Sequence, residues 1–321
     1  MMAHLKIASV MMAAGLALTA CLDAAAPPTV TPQVRPTGLI PPAPKPQPPQ
    51  ETSQESRALS AYYGRVQGEL LAQGLLRQDG GGPDTPFTTA MLVRNFTRIA
   101  FFDEYERGAG LQAARGTPGV LRRWSGPVRL TVEFGKSVPA AQRTRDRATV
   151  AGYAARLKNI TGHPIGMSDA SPNFHVLVMG EDDRAQAIPR VLEIVPNINP
   201  ASLSILRNIP RSIHCLVIAF SSDQNDHEYR RAIALVRAEH PDLLRKSCMH
   251  EEIAQGLGLA NDSPQARPSI FNDDDEFALL TTHDEMLLRM LYSPRLRGGM
   301  GPEEAQPILR ELANELIGGD S

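Results

Sequence analysis

The sequence predicts a mixed α/β (α+β) domain, a sheet with helices packed on it, preceded by a helical N-terminal segment. Three observations lead there. Val128, Leu130, Val132 and Phe134 alternate with polar residues, as in a half-buried strand. A long helical pattern follows over 140–159, with Val150, Tyr153, Leu157 and Ile160 along one side. Beyond it, short apolar runs at 174–179 and 215–220 alternate with further helical stretches, the order that builds a sheet covered by helices.

Composition sets the frame for these elements. The chain has 321 residues, 42% hydrophobic and 21% charged, enough to bury a substantial core in one domain or two small ones. That balance excludes disorder and a multi-span membrane protein for the body of the chain. Lys and Arg number 33 against 35 Asp and Glu. A charge so near zero gives no electrostatic reason to expect a nucleic-acid partner.

Residues 1–20 read as an export signal, with Lys6 before an apolar stretch from 7 to 20. Fourteen residues at 1.5 Å rise would reach about 21 Å, short of the roughly 30 Å that a permanent span must cross. Small residues and Cys21 close the stretch where cleavage is expected. Residues 27–50 hold ten of the chain's 27 prolines and almost no large apolar side chain, so 21–50 reads as an extended tether reaching up to roughly 75 Å.

In the segment 51–123, Thr52 and Glu55 have capping-box spacing, and Leu59, Tyr62, Val66 and Leu70 follow at helical intervals to about 76. Asp79 to Pro83, with three consecutive glycines, breaks this helix; no Lys-Ser/Thr follows, as a P-loop would need. A second helix is expected over 88–96, with its continuation to Tyr105 open.

The remainder, 124–321, contains the strand at 128–134, the helix at 140–159, a strand at 174–179, a helix at 182–191 and a buried strand at 215–220. Asn225 and Glu228 suggest a capped helix ending near His240. A short helix after Ser247 is stopped by Gly258. It places Glu251 and Gln255 four apart on one face, and a reversal at Gly258 brings Asn261 back towards them. Thr282 and Glu285 have the spacing to cap a further helix whose apolar face is Met286, Leu287, Met290 and Leu291.

Cys215 and Cys248 remain as a pair once Cys21 is set aside. They read either as a disulfide, which would close a loop of roughly 34 residues and stabilise by about 3–4 kcal/mol, or as two buried thiols. The acidic run Asp273, Asp274, Asp275 and Glu276 lacks the glycine and spacing of an EF-hand and reads as a solvated loop rather than a calcium site. His250 and His283 read as local hydrogen-bond partners or surface residues rather than ligands.

Leu18-Thr19-Ala20-Cys21 resembles the lipobox of bacterial lipoproteins. The resemblance implies cleavage before Cys21, lipid on its thiol, and an exported protein facing the periplasm, anchored to a membrane of the cell envelope. Leu22 and Asp23 favour neither membrane.

The stretch from Glu251 to Asp262 resembles the metzincin zinc site, His-Glu-x-x-His-x-x-Gly-x-x-His, with Glu251, Gln255 and Asn261 in the three ligand places and Glu252 in that of the catalytic base. Ser269-Ile270-Phe271-Asn272 looks like the turn beneath the metal, with Phe271 where methionine is usual. Residues 280–292, ending Leu291-Tyr292, are similar to the closing helix. As a whole the chain also resembles a proteobacterial lipoprotein family catalogued as domain of unknown function 2927, which implies no activity. The metzincin resemblance implies a zincin-like sheet. The replaced histidines imply a degenerate site with no cofactor, hence a non-catalytic binding or scaffolding module for an envelope protein or peptide. The alternative is an active metalloendopeptidase in which Glu252 activates water on a zinc ion held by Glu251, Gln255 and Asn261.

Overall fold

The computed structural model describes residues 52–104, 114, 116–222, 225–272 and 274–318. The expected signal peptide, Cys21, the proline-rich tether, Tyr105 and Asp273 lie outside the described residues.

Helix α1 (Gln54–Ala72) is capped by Ser53, whose hydroxyl accepts the Ser56 N–H, rather than by the expected Thr52. It is anchored by Tyr63, fully buried, whose hydroxyl donates to the Arg211 carbonyl at 3.0 Å. Helix α2 (Thr89–Phe101) begins at a Thr88 cap and continues five residues past the expected end at Phe96. The reason is burial: Leu92, Phe96, Ile99 and Phe101 all point into the main core. Each such side chain contributes about 1.5–3 kcal/mol on leaving water.

The sheet comprises β1 (Arg123–Trp124), β2 (Val128–Phe134), β3 (Ile165–Met167), β4 (Phe174–Met179), β5 (Cys215–Ser222) and β6 (Asn225–Arg237), in the order β1-β6-β4-β2-β3 with β5 also paired to β6. All pairs are parallel except β5 with β6. Val236 meets Val178 of β4 and Cys215 of β5, so these two strands flank β6 from opposite sides. Among the described residues β5 pairs with β6 alone, which leaves its outer edge open.

Residues 225–237 correct the expectation of a helix there. The Ala232–Val236 run is buried on both faces of the sheet, and such a run has no period of two to separate it from a buried helix. Its Ala, Leu, Glu and Arg content favours helix locally, and pairing on both sides overrides that preference. Strand β5 was expected to be buried and is instead half-buried along its length, as an edge strand is.

Helices cover both faces. Phe174, Val176 and Val178 of β4, with Ala232, Ala234 and Val236 of β6, face the main core. That core also holds α2, α3 (Ala140–Thr161), α6 (Asp242–Leu257), α7 (Thr282–Leu291) and α8 (Pro302–Gly318). The intervening residues Leu177, Ile233 and Leu235 pack on the other face against α4 (Arg184–Ile194) and α5 (Pro200–Arg207). Period-two alternation thus divides one sheet between two apolar layers. The described residues form one compact unit, in which α2 shares the core of the sheet.

Candidate functional site: an acidic cleft beside the sheet edge

Helix α6 is held along its length. At its start Arg245, 2% exposed, donates from Nε to both oxygens of Asp146 at 2.9 Å. At its end, carbonyls with no partner inside the helix find donors elsewhere: Trp124 Nε1 reaches the Gly256 oxygen at 2.9 Å and the Tyr292 hydroxyl the Leu257 oxygen at 3.0 Å. Gly256 is required by packing, since a Cβ there would lie 2.5 Å from the Phe174 ring. Gly258 has φ 131° and a Cβ would lie 2.4 Å from the Arg122 carbonyl, so the chain reverses at this point only with glycine.

The reversal opens a cavity of about 650 Å³ between α6 and β5. Glu251, Glu252, Gln255 and Ile270 all border it, as the sequence leads one to expect. Asn261 does not: its amide donates to the Arg98 carbonyl at 3.0 Å. Arg98 lies in the last turn of α2, where carbonyls lack helical partners, and this free acceptor draws Asn261 away from the cleft. Asp262 takes the place beside Gln255, accepting its side-chain N–H at 3.1 Å.

Glu104, Asp262 and Asp275 make the cleft acidic. Asp262 was legible only as a neighbour of Asn261; Glu104 and Asp275 reach the cleft from distant loops, and no spacing in the sequence announces them. Burial, and then the charge of Asp262, push the Glu251 and Glu252 carboxyls well above the usual carboxylate range. Glu252, Asp275 and Glu104 add to the effect on Glu251, and Glu104 to that on Glu252. Glu252 is 4% exposed and its Oε2 has no hydrogen-bond partner among the described residues.

Beneath the cleft, the turn at Ile270 and Phe271 is fixed by Asp284. Its carboxylate accepts from the Ser269 hydroxyl at 2.5 Å, the Ile270 N–H at 3.0 Å and the Thr281 N–H at 3.0 Å. Thr281 and Asp284, one residue earlier than the expected Thr282 and Glu285, form the capping box of α7. Glu285 instead pairs with Arg156 at 2.8 Å.

The two histidines are core residues. His250 stacks on Tyr153 with ring centres 4.0 Å apart, and its Nδ1 accepts the Leu280 N–H at 3.3 Å. His283, fully buried, meets the Asn95 amide at 3.1 Å. Of the acidic run, Glu276 pairs with Arg77 and Arg267, and Asp275 borders the cleft. Cys215 and Cys248 are joined in a disulfide with Cα atoms 5.8 Å apart, which ties β5 to α6 along one side of the cavity.

Zinc does not fit this donor set. Where a zincin site needs imidazoles, the helix offers the Glu251 carboxyl and the Gln255 amide, which donates to Asp262, and the cysteine at the border is already bonded. His214, also at its border, lies edge-on to Tyr63. Among the described residues no set of three or more His, Cys, Asp or Glu side chains is placed to hold a metal ion.

Fold and site together define an α/β protein with a helix-borne acidic cleft beside an antiparallel sheet edge. The chain belongs to the family described as Protein of unknown function (DUF2927), whose profile matches residues 89–311. No curated protein and no solved structure is a match for it.

Proposed function

We propose that this is a lipid-anchored protein of the bacterial cell envelope whose domain keeps the frame of a metzincin peptidase as a non-catalytic binding module. The observation that carries the reading is the Gln255–Asp262 hydrogen bond: a position that would present a metal-binding imidazole in a peptidase is closed by an amide donating to a carboxylate.

Supporting it are a largely parallel sheet with one antiparallel strand on its edge, a helix ended by Gly258, and a turn at Ile270 and Phe271 locked by Asp284. The open edge of β5 offers an extended peptide a row of main-chain donors and acceptors, with the acidic floor of the cleft alongside for its side chains. Cys21 supplies the anchor and residues 21–50 the reach.

Metal content and peptide cleavage test the reading on protein purified without chelator. The binding module is expected to carry no stoichiometric zinc and to cleave no peptide. Stoichiometric zinc, together with cleavage that disappears in Glu252→Gln, would make this an enzyme.

A further inference from the structure

A second concavity lies in the groove where α2 packs against α8. It encloses about 700 Å³, and among the described residues no carboxylate borders it. Arg94 and Arg98 on α2 are one turn apart, and Arg310 faces them from α8 between Gln306 and Asn314, which lie one turn before and after it. Among the described residues, none of the three guanidinium groups has a hydrogen-bond or ion-pair partner. Neighbouring acids are engaged elsewhere: Glu311 and Glu315 pair with Arg295 at 3.4 and 2.5 Å, and Glu304 pairs with Arg297.

Arg94 and Arg98 repel one another at this spacing unless an anion lies between them. The floor of the groove is apolar. Ala90 and Val93 line it, and the Phe102 ring lies 4.4 Å beneath the Arg98 guanidinium. A groove with unpaired guanidinium forks at its rim and apolar side chains at its base suits an amphiphile with an anionic head. Guanidinium forks match the oxygens of a phosphate, and a small inorganic anion would leave the apolar floor unused.

We propose that the α2–α8 groove binds an anionic phospholipid, with the headgroup phosphate between Arg94, Arg98 and Arg310 and the adjoining carbons on Val93 and Phe102. The proposal is independent of the reading of the acidic cleft, because none of its residues borders that cavity.

The test uses the purified full chain in bilayer discs of phosphatidylcholine, titrated by calorimetry with dihexanoylphosphatidylglycerol below its micelle concentration. Dihexanoylphosphatidylcholine, inorganic phosphate and a short oligoglutamate are titrated in parallel. Saturable binding of the glycerol lipid is expected, with each comparison ligand at least about tenfold weaker and with affinity falling as salt rises. The Arg94→Gln, Arg98→Gln, Arg310→Gln triple variant should lose at least about tenfold in affinity while unfolding at the same denaturant concentration as the parent, since all three side chains are exposed. Should the triple variant fold poorly, Arg310→Gln alone is expected to weaken binding about threefold or more. Absence of saturable binding, inorganic phosphate or oligoglutamate binding as tightly as the lipid, or undiminished binding by a folded variant would each overturn the proposal.

Discussion

The Asp284 carboxylate accepts the Ile270 N–H at 3.0 Å, and so ties the first turn of α7 to the turn beneath the acidic cleft. Because Asp284 is fully buried and takes three hydrogen bonds, its loss strands several donors at once. Asp284→Ala is expected to destabilise the protein by about 3 kcal/mol or more, at roughly 1–3 kcal/mol for each donor left unsatisfied. Urea denaturation followed by circular dichroism measures it, and a shift under about 1 kcal/mol would contradict the account of the turn.

The Cys215–Cys248 disulfide spans 33 residues and fastens β5, whose outer edge is open, to α6. Replacing both cysteines with Ala should cost about 3–4 kcal/mol in the chain-entropy model. Hydrogen exchange should then rise first in β5, a strand paired on one edge only and no longer tied to α6. Uniform exchange across the sheet would show that the crosslink does not hold this edge.

Glu251 and Glu252 have raised carboxyl pKa values in the folded chain, through burial first and Asp262 second, against an ordinary value of 4.5. Above pH about 4.5 the folded protein therefore holds more protons than the unfolded chain, and its stability falls as pH rises through the raised values. Their contribution is complete below the unfolded pKa. Glu252→Gln should consequently raise the melting temperature at pH 8 and change it little at pH 4. Equal shifts at both values would remove the titration from the explanation.

For the anchor, Cys21→Ser is expected to abolish acylation and to move the protein out of the membrane fraction of cells. Fatty-acid labelling that persists in this variant would sink the lipoprotein reading.

Several features were legible because they are written in local chemistry. The alternation at Val128 to Phe134, the apolar side of α3, the reversal at Gly258 and the spacing of Glu251 and Gln255 each depend on residues within a few positions of one another. A helix face or strand face follows from such spacing without knowledge of the rest of the chain. The pairing of Cys215 with Cys248 was legible as one of two outcomes, and only the approach of β5 to α6 decided it.

What the sequence by itself determined is the mixed α/β class and the helix that places Glu251 and Gln255 on one face, because amphipathic period and glycine stops act through neighbouring residues. Tertiary structure alone decided that 225–237 is a strand, since a run buried on both faces has no period to read and the hydrogen bonds of β4 and β5 select its form. It also decided which side chains make the site. Asn261 leaves because a free carbonyl at the end of α2 competes for its amide, and the adjoining Asp262 takes its place beside Gln255, whereas Asp275 and Glu104 arrive from other segments, brought together only by the packing of the core.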